Sequence, residues 1–138
     1  MKAAIRYYTR SGNTKKLADA IAQALGIEAK DVTAPLDART EVLFLCNSVY
    51  WAGVDGSVKQ FIRDNHDRIG TLVNVSTAAL IESSYPQIRK LCEQAGVTVS
   101  DAEFHCKGSF QMLHRGRPDS EDLAAVGAFA GKVLGEAG

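Results

Sequence analysis

The sequence predicts one α/β domain, a parallel sheet covered on both faces by crossover helices. Its 138 residues, 46% of them hydrophobic, suffice for one core. Short β-branched runs alternate with longer stretches in which apolar residues recur every three or four positions, the pattern of strands joined by crossover helices. There is no internal repeat, low-complexity stretch or linker, and Pro35, Pro86 and Pro118 fall at plausible element boundaries.

Strands are expected near residues 2–8, 28–33, 41–47, 71–77 and 99–106. The first helix, about 13–25, sets Leu17, Ala18, Ile21, Ala22 and Leu25 on one face and Lys15, Lys16, Asp19 and Gln23 on the other, and Gly26 ends it. A second, about 56–66, turns Val58, Phe61 and Ile62 inward behind Asp55 as cap. The third opens at Ser84-Tyr85-Pro86-Gln87, where Ser84 and Gln87 have the spacing of a capping box, and closes at Gly96. The last follows Pro118-Asp119-Ser120, with Glu121 and Asp122 at its positive end and Leu123, Val126, Ala130, Val133 and Leu134 facing the core. Residues 27–40 are too few for a strand, a full helix and two turns, so the second crossover must be short or irregular.

Lys plus Arg and Asp plus Glu both total 16, which removes the usual electrostatic argument for nucleic acid or a membrane surface. The opening Lys2–Tyr8 reads as a strand, not a signal peptide, and no apolar run approaches the ~20 residues that span a bilayer. A cytoplasmic protein is the expectation. Cys46, Cys92 and Cys106 form no CxxC pair, and His66, His105 and His114 are too scattered for a metal site. Reduced, buried thiols are expected, Cys106 included.

The first strand runs without a gap into Thr9-Arg10-Ser11-Gly12-Asn13-Thr14, which opens the first helix. Such a junction binds anions: unpaired N–H groups and the positive end of the helix dipole face the incoming strand, Gly12 permits close approach, and the hydroxyls of Thr9, Ser11 and Thr14 add donors. The loop lacks both GxxxxGK[ST] and GxGxxG, which argues against a nucleoside triphosphate or a dinucleotide.

With Thr9, Ser11, Gly12 and Thr14 matching T/S-x-T/S-G-x-T, the chain resembles the flavodoxin family. The resemblance implies a three-layer α/β/α fold, a five-stranded parallel sheet in the order 2-1-3-4-5, and FMN as cofactor, its phosphate wrapped by Thr9 to Thr14. Asn47-Ser48-Val49-Tyr50-Trp51-Ala52-Gly53 is similar to that family's first flavin loop, where an aromatic commonly stacks on the isoalloxazine, and Ser48 to Gly53 are the residues expected at the cofactor. By the same resemblance, Thr77 and Ala78 belong to the next loop at the flavin. Here the pattern departs: Val75–Ile81 has Ala78 where related short proteins often have glycine, and no evident aromatic for the far face of the ring.

The resemblance implies an electron carrier between a redox protein donor and an acceptor, with no nucleic acid or membrane partner. Two other readings compete. One is a small FMN-dependent reductase, alone or with a partner subunit; the other is a flavin-free interaction module of the same fold, motivated by Ala78 and the missing second aromatic. A phosphoacceptor receiver is excluded because the first strand ends Tyr7-Tyr8-Thr9 and the third Cys46-Asn47, leaving no aspartate to phosphorylate. Arg10, Lys107, Arg115 and Arg117 are expected to give the site a basic rim, which would raise the potential of a bound flavin by stabilising its negatively charged reduced form.

Overall fold

A computed structural model describes residues 2–50, 53–78, 83–108 and 116–137. Strand β1 (Ala3–Tyr7) leads into helix α1 (Asn13–Leu25), followed by the short β2 (Ala29–Asp31) and the long β3 (Thr40–Tyr50). The two-residue β4 (Gly53–Val54), α2 (Gly56–Asn65) and β5 (Ile69–Ala78) come next, then α3 (Tyr85–Ala95), β6 (Thr98–Lys107) and α4 (Ser120–Ala137). The sheet order is β2-β1-β3-β5-β6, with all four neighbouring pairs parallel, and β4 lies antiparallel on β3. Leaving β4 aside, the five parallel strands have the order 2-1-3-4-5 that the resemblance implies.

The two sheet faces carry separate apolar cores. Ile5, Phe44, Val73 and Val75 meet Leu17, Ala18 and Ile21 of α1 and Val126 and Ala130 of α4 on one side. On the other, Leu43, Leu45 and Leu72 meet Val58, Phe61 and Ile62 of α2 and Ile88 and Cys92 of α3. These are the faces the helical spacing predicts, and Leu123, Val133 and Leu134 of α4 are only partly buried at the margin. Gly26 and Gly96 terminate α1 and α3 in left-handed conformation, at φ 69° and 77°. Asp55 caps α2 by accepting from the Ser57 amide at 2.9 Å.

Two sequence expectations need correction. β3 does not stop at Cys46-Asn47 but continues to Tyr50, pairing Ser48 with Thr77 and Val49 with Ala78. The polar Asn47 interrupts the apolar alternation, yet it is tolerated at 0% exposure because its amide donates to Leu45 O at 3.1 Å and Asn74 Oδ1 at 2.8 Å. The capping box at α3 does not form either. Ser84 makes no side-chain cap and instead accepts from Asn74 Nδ2 at 2.9 Å, while Gln87 Oε1 accepts from the Val54 amide at 3.0 Å. Each side chain is drawn to a buried partner that would otherwise be unsatisfied. A reciprocal box appears at α4 instead, where Asp119 Oδ1 accepts from the Asp122 amide at 3.0 Å and Asp122 Oδ2 from the Asp119 amide at 2.8 Å.

The second crossover is short and irregular, as expected, with no helix between β2 and β3. Its carbonyls find a partner in Arg6 of β1, only 6% exposed, whose guanidinium donates to Ala34 O at 2.8 Å and Pro35 O at 3.1 Å. Leu36 enters the core and its amide donates to Asn65 Oδ1 at 2.9 Å. Arg6→Met keeps the apolar stem but removes both donors, so a loss of about 2 kcal/mol of stability is expected by denaturant unfolding. An unchanged midpoint and slope would mean that water replaces the guanidinium at no cost.

Candidate functional site

Sheet order reverses between β1 and β3, and ligands of open α/β sheets bind at the carboxyl ends of the strands there. The turn from β1 into α1 occupies this place. Thr9 Oγ1 accepts from the Gly12 amide at 2.8 Å, closing the turn, and Gly12 takes φ 91°, a left-handed conformation that residues with a Cβ avoid. Arg10 and Ser11 are exposed at the tip, whereas Asn13 and Thr14 are buried at its base.

The N-terminus of α1 is electrostatically incomplete. No side chain caps it, its first turn holds no acidic residue, and Lys15 and Lys16 lie where the helix dipole is already positive. Lys15 is relieved in part by Asp19, one turn on at 2.8 Å. An anion at the loop would complete this end of the helix.

Three of the sequence-predicted segments meet beneath the loop. Thr14 Oγ1 lies 3.2 Å from Thr77 Oγ1 of β5, both hydroxyls buried, and Ser48 of β3 is Thr77's partner in the ladder. Ser48 Oγ is buried with no hydrogen-bond partner among the described residues, and on the opposite face of β3 the same holds for Asn47 Oδ1. Such orphaned atoms cost free energy unless a ligand group or water satisfies them.

Val49 and Tyr50 belong to β3, and Gly53, at φ 88°, begins β4, so these three residues of the expected flavin loop lie in paired antiparallel strands. Trp51 and Ala52 lie outside the described residues, as do 79–82 and Arg115. Thr77 and Ala78 are the end of β5, not a free loop. Ala78 takes ordinary strand backbone, paired with Val49 and Lys107 and 3% exposed.

Two contributors escaped the sequence. Gly108 continues the sheet past β6, donating from its amide to Ala78 O at 3.2 Å, and a Cβ there would stand 3.0 Å from Thr77 Cβ. Its only signal was a glycine following a strand. Asp55, expected as a cap, also belongs to the site's margin: its carboxyl is held below the usual range by Ser57, then by the Tyr8 hydroxyl and Arg10.

The basic rim is weaker than the sequence suggests. Arg117 donates to both carboxylate oxygens of Asp122, at 2.6 and 2.9 Å, so its charge is compensated on the spot. Beside this pair the Cys106 thiol is pushed up to about 12, chiefly by burial, which makes it unreactive at neutral pH. Cys46 and Cys92 are buried, and their thiols are raised for the same reason. Among the described residues no group of His, Cys, Asp and Glu is arranged to hold a metal ion, and no helix is long and apolar enough to cross a membrane.

The architecture is the flavodoxin-like fold. The chain superposes on a flavodoxin from the domain Archaea with a TM-score of 0.76 at 16% identity, covering 99% of this chain and 98% of that one. It is similar over 97% of both chains to oxidised Flavodoxin 1 from Bacillus cereus, with a TM-score of 0.69 and 19% identity. A flavodiiron core from Synechocystis matches with a TM-score of 0.72 at 12% identity, over 99% of this chain but 36% of that one. No family model and no curated protein matches the sequence.

Proposed function

We propose that this protein binds FMN at the carboxyl edge of its sheet and serves as a one- or two-electron carrier between redox proteins. The observation that carries the reading is the N-terminus of α1 behind the Thr9–Thr14 loop, which has no capping side chain and no acidic residue in its first turn, bears Lys15 and Lys16, and adjoins the buried hydroxyls of Thr14, Thr77 and Ser48. When bound, FMN supplies the electron-accepting chemistry. The chain's own residues bind and orient. The loop backbone and Ser11 would hold the phosphate, while Ser48–Gly53 and Thr77–Ala78 would hold the ring. The near-end-to-end likeness to two flavodoxins supports a carrier over a substrate-transforming enzyme.

The experiment is a visible spectrum of the purified protein, followed by titration with FMN and assay of NAD(P)H turnover. A flavin spectrum without steady turnover is the expected result. Sustained oxidation of NAD(P)H with an added acceptor would replace the carrier by a reductase, and a protein that stays colourless with excess FMN would leave the flavin-free module.

Ser11 and Thr14 give a finer prediction, because the structure separates them. Ser11 is exposed, so Ser11→Ala is expected to weaken FMN binding by about 1–2 kcal/mol with no change in thermal stability. Thr14 is 1% exposed against Thr77, so Thr14→Ala should lower both affinity and stability. Calorimetric titration and thermal melts of the two variants check it; equal stability losses in both would overturn the division of roles.

A further inference from the structure

A second polar layer lies at the same sheet edge on the face opposite the Thr14–Thr77 contact, and it is built from residues the proposed binding site does not use. The β3–β5–β6 register sets Asn74 beside Glu103, and Asn47, Ser76 and His105 side by side across three strands. The N-terminus of α3 closes over them. Asn47 donates to Asn74 at 2.8 Å, and Asn74 to Ser84 Oγ at 2.9 Å. The Ser84 amide reaches Ser76 Oγ at 3.4 Å, and Ser76 Oγ lies 3.4 Å from Ser83 Oγ. Ser83 in turn donates to Glu103 Oε2 at 3.0 Å, while the other carboxylate oxygen, Oε1, lies 2.7 Å from His105 Nδ1.

Asn47, Asn74, Ser76 and Ser84 are all 1% exposed or less. A core of Leu and Val would serve stability here at least as well, since a partly satisfied buried network is worse than an apolar one. What such a layer supplies is a fixed geometry, because each hydrogen bond constrains an angle that apolar contacts leave loose. The chain has a direction: it starts at the Glu103–His105 pair near solvent, crosses the α3 N-terminus, and ends at Asn47, adjacent in β3 to Ser48 with its orphaned hydroxyl.

We infer that Glu103, oriented by His105, is a positioning residue for the cofactor edge: through Ser83, Ser84 and Asn74 it fixes Asn47, and with it Ser48 and Val49, from the α3 side of the sheet. The inference rests on the FMN reading. Glu103 touches no cofactor in it and acts only through the hydrogen-bond chain. Glutamate suits the place because its two oxygens serve Ser83 and His105 at once, which a shorter or singly accepting side chain does not.

The test compares Glu103→Gln, Glu103→Leu and Ser83→Ala. Three readouts are taken: FMN affinity, the visible circular dichroism of the bound flavin, and hydrogen exchange of the Ser84 and Tyr85 amides in the apoprotein. Those amides donate to Ser76 Oγ and to Ser83 Oγ, so they report the chain without any flavin. Glu103→Leu should weaken FMN binding roughly tenfold, alter the flavin's dichroism and speed exchange at Ser84 by a similar factor. Glu103→Gln keeps an oxygen for Ser83 and should restore all three to within about threefold. The double variant Glu103→Leu/Ser83→Ala should be no weaker than the worse single one, because both cut the same chain.

Faster exchange in Glu103→Leu with wild-type affinity and dichroism would show that the layer holds α3 alone, and would overturn the inference while leaving the FMN reading intact. Unchanged exchange would overturn it as well. A wild-type protein that binds no FMN removes the reading on which the inference stands, a different result from tight binding by every variant. Should Glu103→Leu fail to fold, Ser83→Ala cuts the same link with the loss of one oxygen and decides the matter.

Discussion

FMN is expected to bind at least a hundredfold more tightly than riboflavin, which differs from it only in lacking the phosphate. Hydrogen bonds to a charged group are worth about 1.5–3 kcal/mol each, and about 1.4 kcal/mol is a factor of ten, so two such bonds from the Thr9–Thr14 loop suffice. The helix contributes as well. With neither a capping side chain nor an acidic residue in the first turn of α1, and with Lys15 and Lys16 in it, the phosphate would meet a positive potential that Asp19, paired with Lys15, offsets only in part. Lys15 and Lys16 are exposed, and salt will weaken their share, whereas hydrogen bonds from the loop backbone will persist. Titrating both flavins at low and at moderate ionic strength separates the two contributions. Equal affinities for FMN and riboflavin would remove the phosphate loop from the site altogether.

Gly53→Ala is expected to cost about 2–5 kcal/mol of stability and to weaken FMN binding, for two reasons that coincide at one atom. Gly53 has φ 88°, which costs an L-residue about 1–2 kcal/mol. Its Cβ would also stand 2.6 Å from Gln87 Oε1, the acceptor that holds the Val54 amide. Relieving the clash requires Gln87 to swing away and orphan that amide, a further loss of about 1–3 kcal/mol. The melting temperature should fall by roughly 10 °C, and the hairpin of β3 and β4 should lose its fixed shape. A cycle with Gln87→Ala divides the causes. If the clash matters, Gly53→Ala costs less in the Gln87→Ala background, with only the backbone strain left. A full, undiminished cost there would assign the whole effect to φ, and no cost in either background would mean that the hairpin adjusts freely.

Much of this protein is legible in its sequence because much of it is locally determined. Five strands, four helices and the short, irregular second crossover follow from periodicity and from chain length. Gly26, Gly96 and Asp55 act where they stand because a cap or a left-handed stop depends on residues only two to five positions away. The Thr9–Thr14 turn is legible for the same reason, being a strand, a glycine turn and a helix in immediate succession.

What only the tertiary structure decided is where the polar side chains find their partners. Ser84 and Gln87 carry the spacing of a capping box, but Asn74 and Val54, ten and 33 residues away along the chain, outcompete the local pairing. Asn47 ends the third strand in any reading of apolar alternation, yet Asn74 satisfies it and the strand runs on to Tyr50. Arg6 looks like a solvent-facing strand residue, and becomes the internal donor for a crossover too short to form its own hydrogen bonds. Gly108 and the Glu103–His105 pair come beside the end of β5 only because β6 docks in register against it. Apolar periodicity is written residue by residue, since burial asks only which face a side chain is on. A buried hydrogen bond needs one particular partner at about 3 Å, and that partner is fixed only when strands distant in sequence are brought side by side.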